Sequence, residues 1–201
     1  MNEEITDEIE YWDNGMVHLE FHLKNGLLEG LATNWYESGG REMESHYKNG
    51  EQEGQETLWY ESGEKKGELH YKNGILEGLA NSWYKSGGRK GEVPYKNGKR
   101  EGLTTTWYES DEKNTEFHFK NGSLEGLEIT WCENKKEEHY YKNGKIEGLS
   151  IYWYESGQKK HEIPFKNGKL EGLGTSWFES GEKECEHHSK DGELEGLKTY
   201  W

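Results

Sequence analysis

The sequence predicts an all-β fold: an elongated, twisted single antiparallel sheet of tandem β-hairpin repeats about 24 residues long. Three observations carry that reading. Lys-Asn-Gly or Lys-Asp-Gly recurs with its glycine at 26, 50, 74, 98, 122, 144, 168 and 192. A Glu-Gly follows at Gly30, Gly54, Gly78, Gly102, Gly126, Gly148, Gly172 and Gly196, and a Trp five residues later, from Trp35 to Trp201. The runs between are rich in Trp, Tyr, Thr and Leu, which favour strands.

Each element follows from local chemistry. Asn-Gly between half-apolar runs is the strongest short hairpin signal, because a type I′ turn needs positive φ at both central residues. Ser-Gly after Trp-Tyr-Glu marks the second turn of each repeat. Glycine recurs too often for helix, and no 3.6-residue stripe survives. Eight repeats and the N-terminal run predict about 17 strands, extending roughly 75–80 Å. The array is read as one domain over residues 1–201, with an acidic N-terminal cap at 1–15 whose "YWDNG" echoes "WYESG".

A two-residue loop at Asn73-Gly74 sets Lys72 opposite Ile75, Tyr71 opposite Leu76 and His70 opposite Glu77. Alternation then gathers Leu69, Tyr71, Leu76, Gly78 and Tyr84 on one face, and His70, Glu77, Leu79 and Trp83 on the other. Gly78 is read as clearing space for a neighbouring tyrosine ring. The two runs of a repeat differ in length, so the sheet must either stagger or absorb the excess in a bulge or a wider Ser-Gly loop. One repeat is two residues short around "WCENKKEE". An even deletion keeps every later side chain on its face.

Composition narrows the function. Forty acidic and 25 basic residues leave a net charge of −15, which disfavours nucleic acid and anionic lipid and favours a basic partner. Hydrophobic residues make up only 30% of the chain, yet 9 Trp, 13 Tyr and 5 Phe recur at fixed intervals. That argues for an ordered chain with a thin, aromatic-rich core. The two cysteines, Cys132 and Cys185, suggest neither a disulfide framework nor a zinc spacing. No apolar leader segment or membrane span is evident, and a cytoplasmic location is expected.

The repeated words "YKNGKLEGL" and "WYESGEKK" resemble the variant MORN repeat over nearly the whole chain. They depart from the classical MORN repeat, which has His-Gly where this chain has Glu-Gly. The resemblance implies a bacterial repeat protein of the antitoxin or immunity type.

The candidate binding or core aromatics form two columns. One is Trp35, Trp59, Trp83, Trp107, Trp131, Trp153 and Trp177; the other is Tyr36, Tyr60, Tyr84, Tyr108 and Tyr154. Regular aromatics can stack on a ligand, or cover one another in a sheet that lacks a second layer. A histidine column (His22, His46, His70, His118, His188) faces Glu29, Glu53, Glu77, Glu125 and Glu195. Equivalent histidines lie roughly 9.6 Å apart, too far to share an ion, so cross-strand His–Glu pairs are expected rather than a metal. Eight equivalent copies argue against catalysis, since an active site breaks a repeat's symmetry. No cofactor is implied. The expected function is therefore non-enzymatic binding of a basic protein, a toxin or effector, by occlusion. A scaffold that self-associates through its sheet edges, and a carbohydrate-binding tryptophan column, are the alternatives.

Overall fold

A computed structural model describes residues 4–132 and 135–201. Among them there is no helix, and the 23 strands belong to a single open antiparallel sheet of tandem hairpins. Six of the expected strands are each divided in two at Glu-Gly, as in Ile75–Leu76 and Gly78–Trp83; with each divided strand counted once, the total is the expected seventeen. The chain forms two compact units, Met1–Arg100 with Trp107–Glu112, and Glu101–Thr106 with Lys113–Trp201.

In the first unit the strand Lys65–Lys72 turns at Asn73-Gly74, with φ of 48° and 71°. Lys72 then pairs with Ile75 and Tyr71 with Leu76, as the Asn-Gly loop predicts. The Glu77 amide donates to the His70 carbonyl, and then the register jumps. Gly67 pairs with Ser82 and Glu68 with Asn81, so two extra residues are absorbed just after Glu77. Gly78 carries them with a φ of 85°. Its need for glycine is therefore a left-handed backbone, a correction to the expected ring clearance: a Cβ there would lie 4.0 Å from its nearest neighbour, the His70 Cβ.

The Ser-Gly turn is wider than two residues. The Tyr84 amide donates to the Gly88 carbonyl and the Gly87 amide back to the Tyr84 carbonyl. A second register shift follows between Arg89 and Gly91. The two irregularities compensate. Gly67, Ser82 and Gly91 share one level, so residues one repeat apart line up without stagger.

The second unit repeats this plan, with one informative exception. In the short repeat, Gly126–Cys132 pairs with Lys135–Lys142 in unbroken register, Trp131 opposite Lys136 and Cys132 opposite Lys135. The shortening thus falls at the turn, whose residues 133–134 lie outside the described residues. Leu127 still pairs with Tyr140, as Leu149 pairs with Pro164 one repeat on. The even deletion has preserved the faces.

The core is thin, as the composition predicts. Among the described residues the buried hydrophobics are Ala32 and Trp107, while the most enclosed side chains are Ser45 and Ser150. A single sheet has no facing layer to interdigitate with. Its rigidity comes from the backbone ladder and from contacts that link each repeat to the next.

Candidate interaction surface

Three contacts recur from repeat to repeat. In the first, a tyrosine hydroxyl donates to the carbonyl of the next repeat's tryptophan. Tyr36, Tyr60 and Tyr84 reach the Trp59, Trp83 and Trp107 carbonyls at 2.7–2.8 Å, and Tyr154 reaches that of Trp177 at 2.9 Å. Trp12 occupies the same place in the N-terminal run, and its indole Nε1 donates to the Trp35 carbonyl. The echo seen in "YWDNG" is thus structural. Burial, and then the Glu42 and Glu61 carboxylates, push the Tyr36 hydroxyl above its usual range, which keeps the donor protonated.

Second, the tryptophan rings from Trp59 onward lie under a cation from the preceding repeat. Arg41 sits over Trp59, Lys65 over Trp83, Arg89 over Trp107, Lys113 over Trp131, Lys136 over Trp153 and Lys159 over Trp177. The cation centres are 4.5–5.8 Å from the ring centroids, within cation–π range. The same cations bind carboxylates on their own strands: Arg41 with Glu44 at 2.6 Å, Lys113 with Glu116 at 2.5 Å, and Lys65 with Glu68.

Third, four of the glutamates expected to pair with a histidine turn away from it. Glu29, Glu53, Glu77 and Glu125 each accept from the backbone amide of the next turn's asparagine, Asn49, Asn73, Asn97 and Asn143, at 2.7–2.8 Å. This corrects the expected His–Glu side-chain pairs. The residues are backbone neighbours, but His46 and His118 direct Nδ1 to the carbonyls of Gln55 and Leu127. The amide of a tight turn points out of the ladder, and a carboxylate is the group within reach that satisfies it. Among the described residues no three His, Cys, Asp or Glu side chains converge on a metal position.

The structure places the two candidate columns on opposite sides of the sheet. Tyr60, Leu58, Leu69, Ala80, Val93 and Tyr95 line one face, here called the groove face. The other face carries the tryptophans with their cations and a row of exposed leucines, including Leu31, Leu79, Leu103, Leu127, Leu149 and Leu173. Trp107 is 6% exposed; Trp35, Trp59, Trp83, Trp131, Trp153 and Trp177 are half-buried, as are Tyr36, Tyr60, Tyr84, Tyr108 and Tyr154.

The turns define two rims. The Asn-Gly rim bears the lysines, among them Lys48, Lys72 and Lys96, all exposed, beside the glutamates that cap its turns. The Ser-Gly rim of the first unit exposes Glu37, Glu61, Glu64, Glu109, Asp111 and Glu112; that of the second exposes Glu155, Glu179 and Glu182. Glu64 is held below the usual carboxylate range by a hydrogen bond from Ser62, then by its own backbone amide, with Lys85 adding to the effect. Among the cations at this rim, Lys85 stands exposed in a Ser-Gly turn itself, whereas Arg41, Lys65, Arg89 and Lys113 lie over tryptophans and pair with carboxylates.

The recurring Arg or Lys at 41, 65, 89, 113, 136, 159 and 183 was not singled out as a site in the sequence. Its signal is its constant place after the Ser-Gly turn, three residues before an equally constant Glu in all but the shortened repeat.

A hairpin array stapled in this way defines a repeat-type binding protein. Five segments match the model of the MORN repeat variant, at residues 28–49, 52–73, 76–97, 133–152 and 146–167. Together they cover half of the chain, which therefore belongs to the MORN repeat variant family. No curated protein matches it. Among the described residues no helix is long and apolar enough to cross a membrane.

Proposed function

We propose that the chain is a non-enzymatic binding protein of the antitoxin or immunity type, which occludes a basic toxin or effector in the cytoplasm. The observation that carries this reading is the acidic Ser-Gly rim. Glu37, Glu61, Glu64, Glu109, Asp111 and Glu112 line one edge of the first unit in exposed positions. A rigid, mainly acidic row, interrupted by Lys85, raises the local concentration of a cationic partner and speeds its encounter. Preorganisation lowers the entropic cost of the complex that follows. The antitoxin identity rests on the resemblance of the repeats; the basic partner rests on the charge. Carbohydrate stacking is disfavoured, because a cation from the preceding repeat already covers one face of each of these tryptophan rings.

The test is capture from source-cell lysate at low and high salt. It compares the chain with a first-unit variant in which Glu37, Glu61, Glu64, Glu109 and Glu112 are all glutamine. A basic protein held by the native chain, released by salt and lost with the variant supports the reading. Equal capture by both refutes the rim as the contact. Self-association of the bait with no partner moves the assignment to the scaffold alternative.

A further inference from the structure

The repeated contacts are structural, so a site is best sought where the repeats differ. One position on the long strand of each hairpin faces the groove side and varies from copy to copy: Leu19, Met43, Gly67, Gly91, Thr115, Glu137, His161 and Cys185. Glycine stands only at 67 and 91. Neither has a left-handed φ, though each follows the register shift after a Ser-Gly turn. A Cβ at Gly67 would meet Leu58 Cδ1 at 3.3 Å, the end of a flexible side chain that can move aside. Glycine inside a strand weakens it, and often marks the close approach of another group to the backbone.

The two glycines flank Ser82 at one level of the sheet. Gly67, Ala80 and Ser82 floor a trough of about 310 Å³, walled by Leu58, Leu69, Val93, Tyr60 and Tyr95. Asn81, Trp83, Lys66 and Lys90 complete the lining, which contains no carboxylate. Their ammonium groups lie 5.8 and 5.6 Å from the Tyr60 and Tyr84 ring centroids. Lys65 and Arg89, one residue earlier, bind Glu68 and Glu92; among the described residues Lys66 and Lys90 pair with no carboxylate. In a chain of net charge −15, this is a local reversal of sign. A second groove-face cavity of about 450 Å³, around Met43 and Phe21, has the Glu10 carboxylate in its lining and no cation.

We propose that this trough binds a small aromatic carboxylate. A flat ring lies over Ala80 and Ser82, between Tyr60 and Tyr95. The carboxylate points to Lys66 and Lys90. The volume is at the lower end for ligand pockets and suits one or two fused rings rather than a long tail. The proposal stands apart from the protein partner of the acidic rim.

The test titrates the full chain with 1-naphthylacetate, and with 1-naphthylmethylamine as the same ring of opposite charge, following backbone amides by NMR. The expected result is saturable binding of the carboxylate with a dissociation constant below about 1 mM. Shifts should centre on Gly67, Ala80 and Ser82, and the amine should bind at least about 10-fold more weakly. Lys66→Gln and Lys90→Gln should each weaken the carboxylate about 3- to 5-fold, the scale of an exposed ion pair, and Gly67→Leu should abolish binding. Should Gly67→Leu fail to fold, the two lysine variants carry the test. No saturation by about 10 mM, equal binding of the amine, or shifts centred on the cavity around Met43 would each overturn the proposal.

Discussion

Replacing Tyr60 with phenylalanine isolates the contact that joins one hairpin to the next. The Tyr60 hydroxyl donates to the Trp83 carbonyl at 2.8 Å. Phenylalanine keeps the ring under Lys66 and removes only the donor. A net hydrogen bond is worth about 0.5–1.5 kcal/mol, and a carbonyl left half-buried without its donor takes the cost toward the upper part of that range. Tyr36 and Tyr84 make the same bond at 2.7 and 2.8 Å. Equivalent sites are roughly 9.6 Å apart, far enough for their effects to add. The triple variant Tyr36→Phe, Tyr60→Phe, Tyr84→Phe should then lose roughly 2–4 kcal/mol. With a urea m-value of about 2 kcal/mol/M, the unfolding midpoint falls by about 1–2 M. Repeat arrays can unfold in parts, so exchange of the amides in Gly78–Trp83 should be measured beside the midpoint and should accelerate in step. The chain supplies its own reverse test. Phe178 stands in the same column without a hydroxyl, and Phe178→Tyr should stabilise the last hairpin. A triple variant with an unchanged midpoint and unchanged exchange would refute the staple as a source of stability.

Four further outcomes follow from the same geometry. Glu77→Ala removes the carboxylate that holds the Asn97 amide at 2.7 Å, and should raise exchange at Asn97 several-fold while costing about 0.5–1 kcal/mol, because the pair is exposed. Gly78→Ala forces an alanine to a φ of 85° and should cost about 1–2 kcal/mol; a loss no larger than at an ordinary strand glycine would contradict the bulge. In the second unit, burial and then the Glu128 carboxylate raise Tyr141 to about 12. The folded state therefore holds that proton more tightly than the unfolded chain. The stability it contributes is whole below pH 10 and is lost as pH rises from about 10 to 12, on the order of 1–2 kcal/mol after discounting for partial exposure. His161 runs the other way. Burial, then Lys160, lower its pKa, so stability is lost as pH falls from about 6.5 through the lower folded value. Tyr141→Phe should flatten the alkaline limb and His161→Asn the acid limb in pH-dependent urea titrations.

Much of this fold was legible because its turns are encoded by residues with few alternative uses. Asn73-Gly74 announces positive φ twice, and the structure puts it there. The opposition of Lys72 to Ile75 and Tyr71 to Leu76 followed directly. Register beyond Glu77 was not legible, because nothing in Leu-Glu-Gly distinguishes a glycine kept for its φ from one kept for clearance. The carboxylate of Glu77 was misdirected for a related reason. Strand pairing predicts which backbones are adjacent, whereas the side chain follows the least satisfied donor nearby, and the Asn97 amide lies in the next hairpin. The aromatic columns were visible as columns. Their partners were not, because a tyrosine-to-carbonyl bond leaves no mark on the residue that supplies the carbonyl.

Repetition and function pull against each other in such an array. The tyrosine staple, the cation over tryptophan and the glutamate cap all recur, so each is accounted for by joining hairpins. What varies is the groove face. In the first unit it is lined by Leu58, Leu69 and Val93 around Gly67 and Ala80. In the second the corresponding strands bring in His139, bonded to Ser150 at 2.8 Å, and His161, bonded to Ser176 at 2.8 Å, with Tyr152 edge-on to both rings. A sheet held together by its other face and its rims is free to change this one copy by copy. That freedom is the physical reason to look for specificity on the groove face, and for electrostatic attraction on the acidic rim.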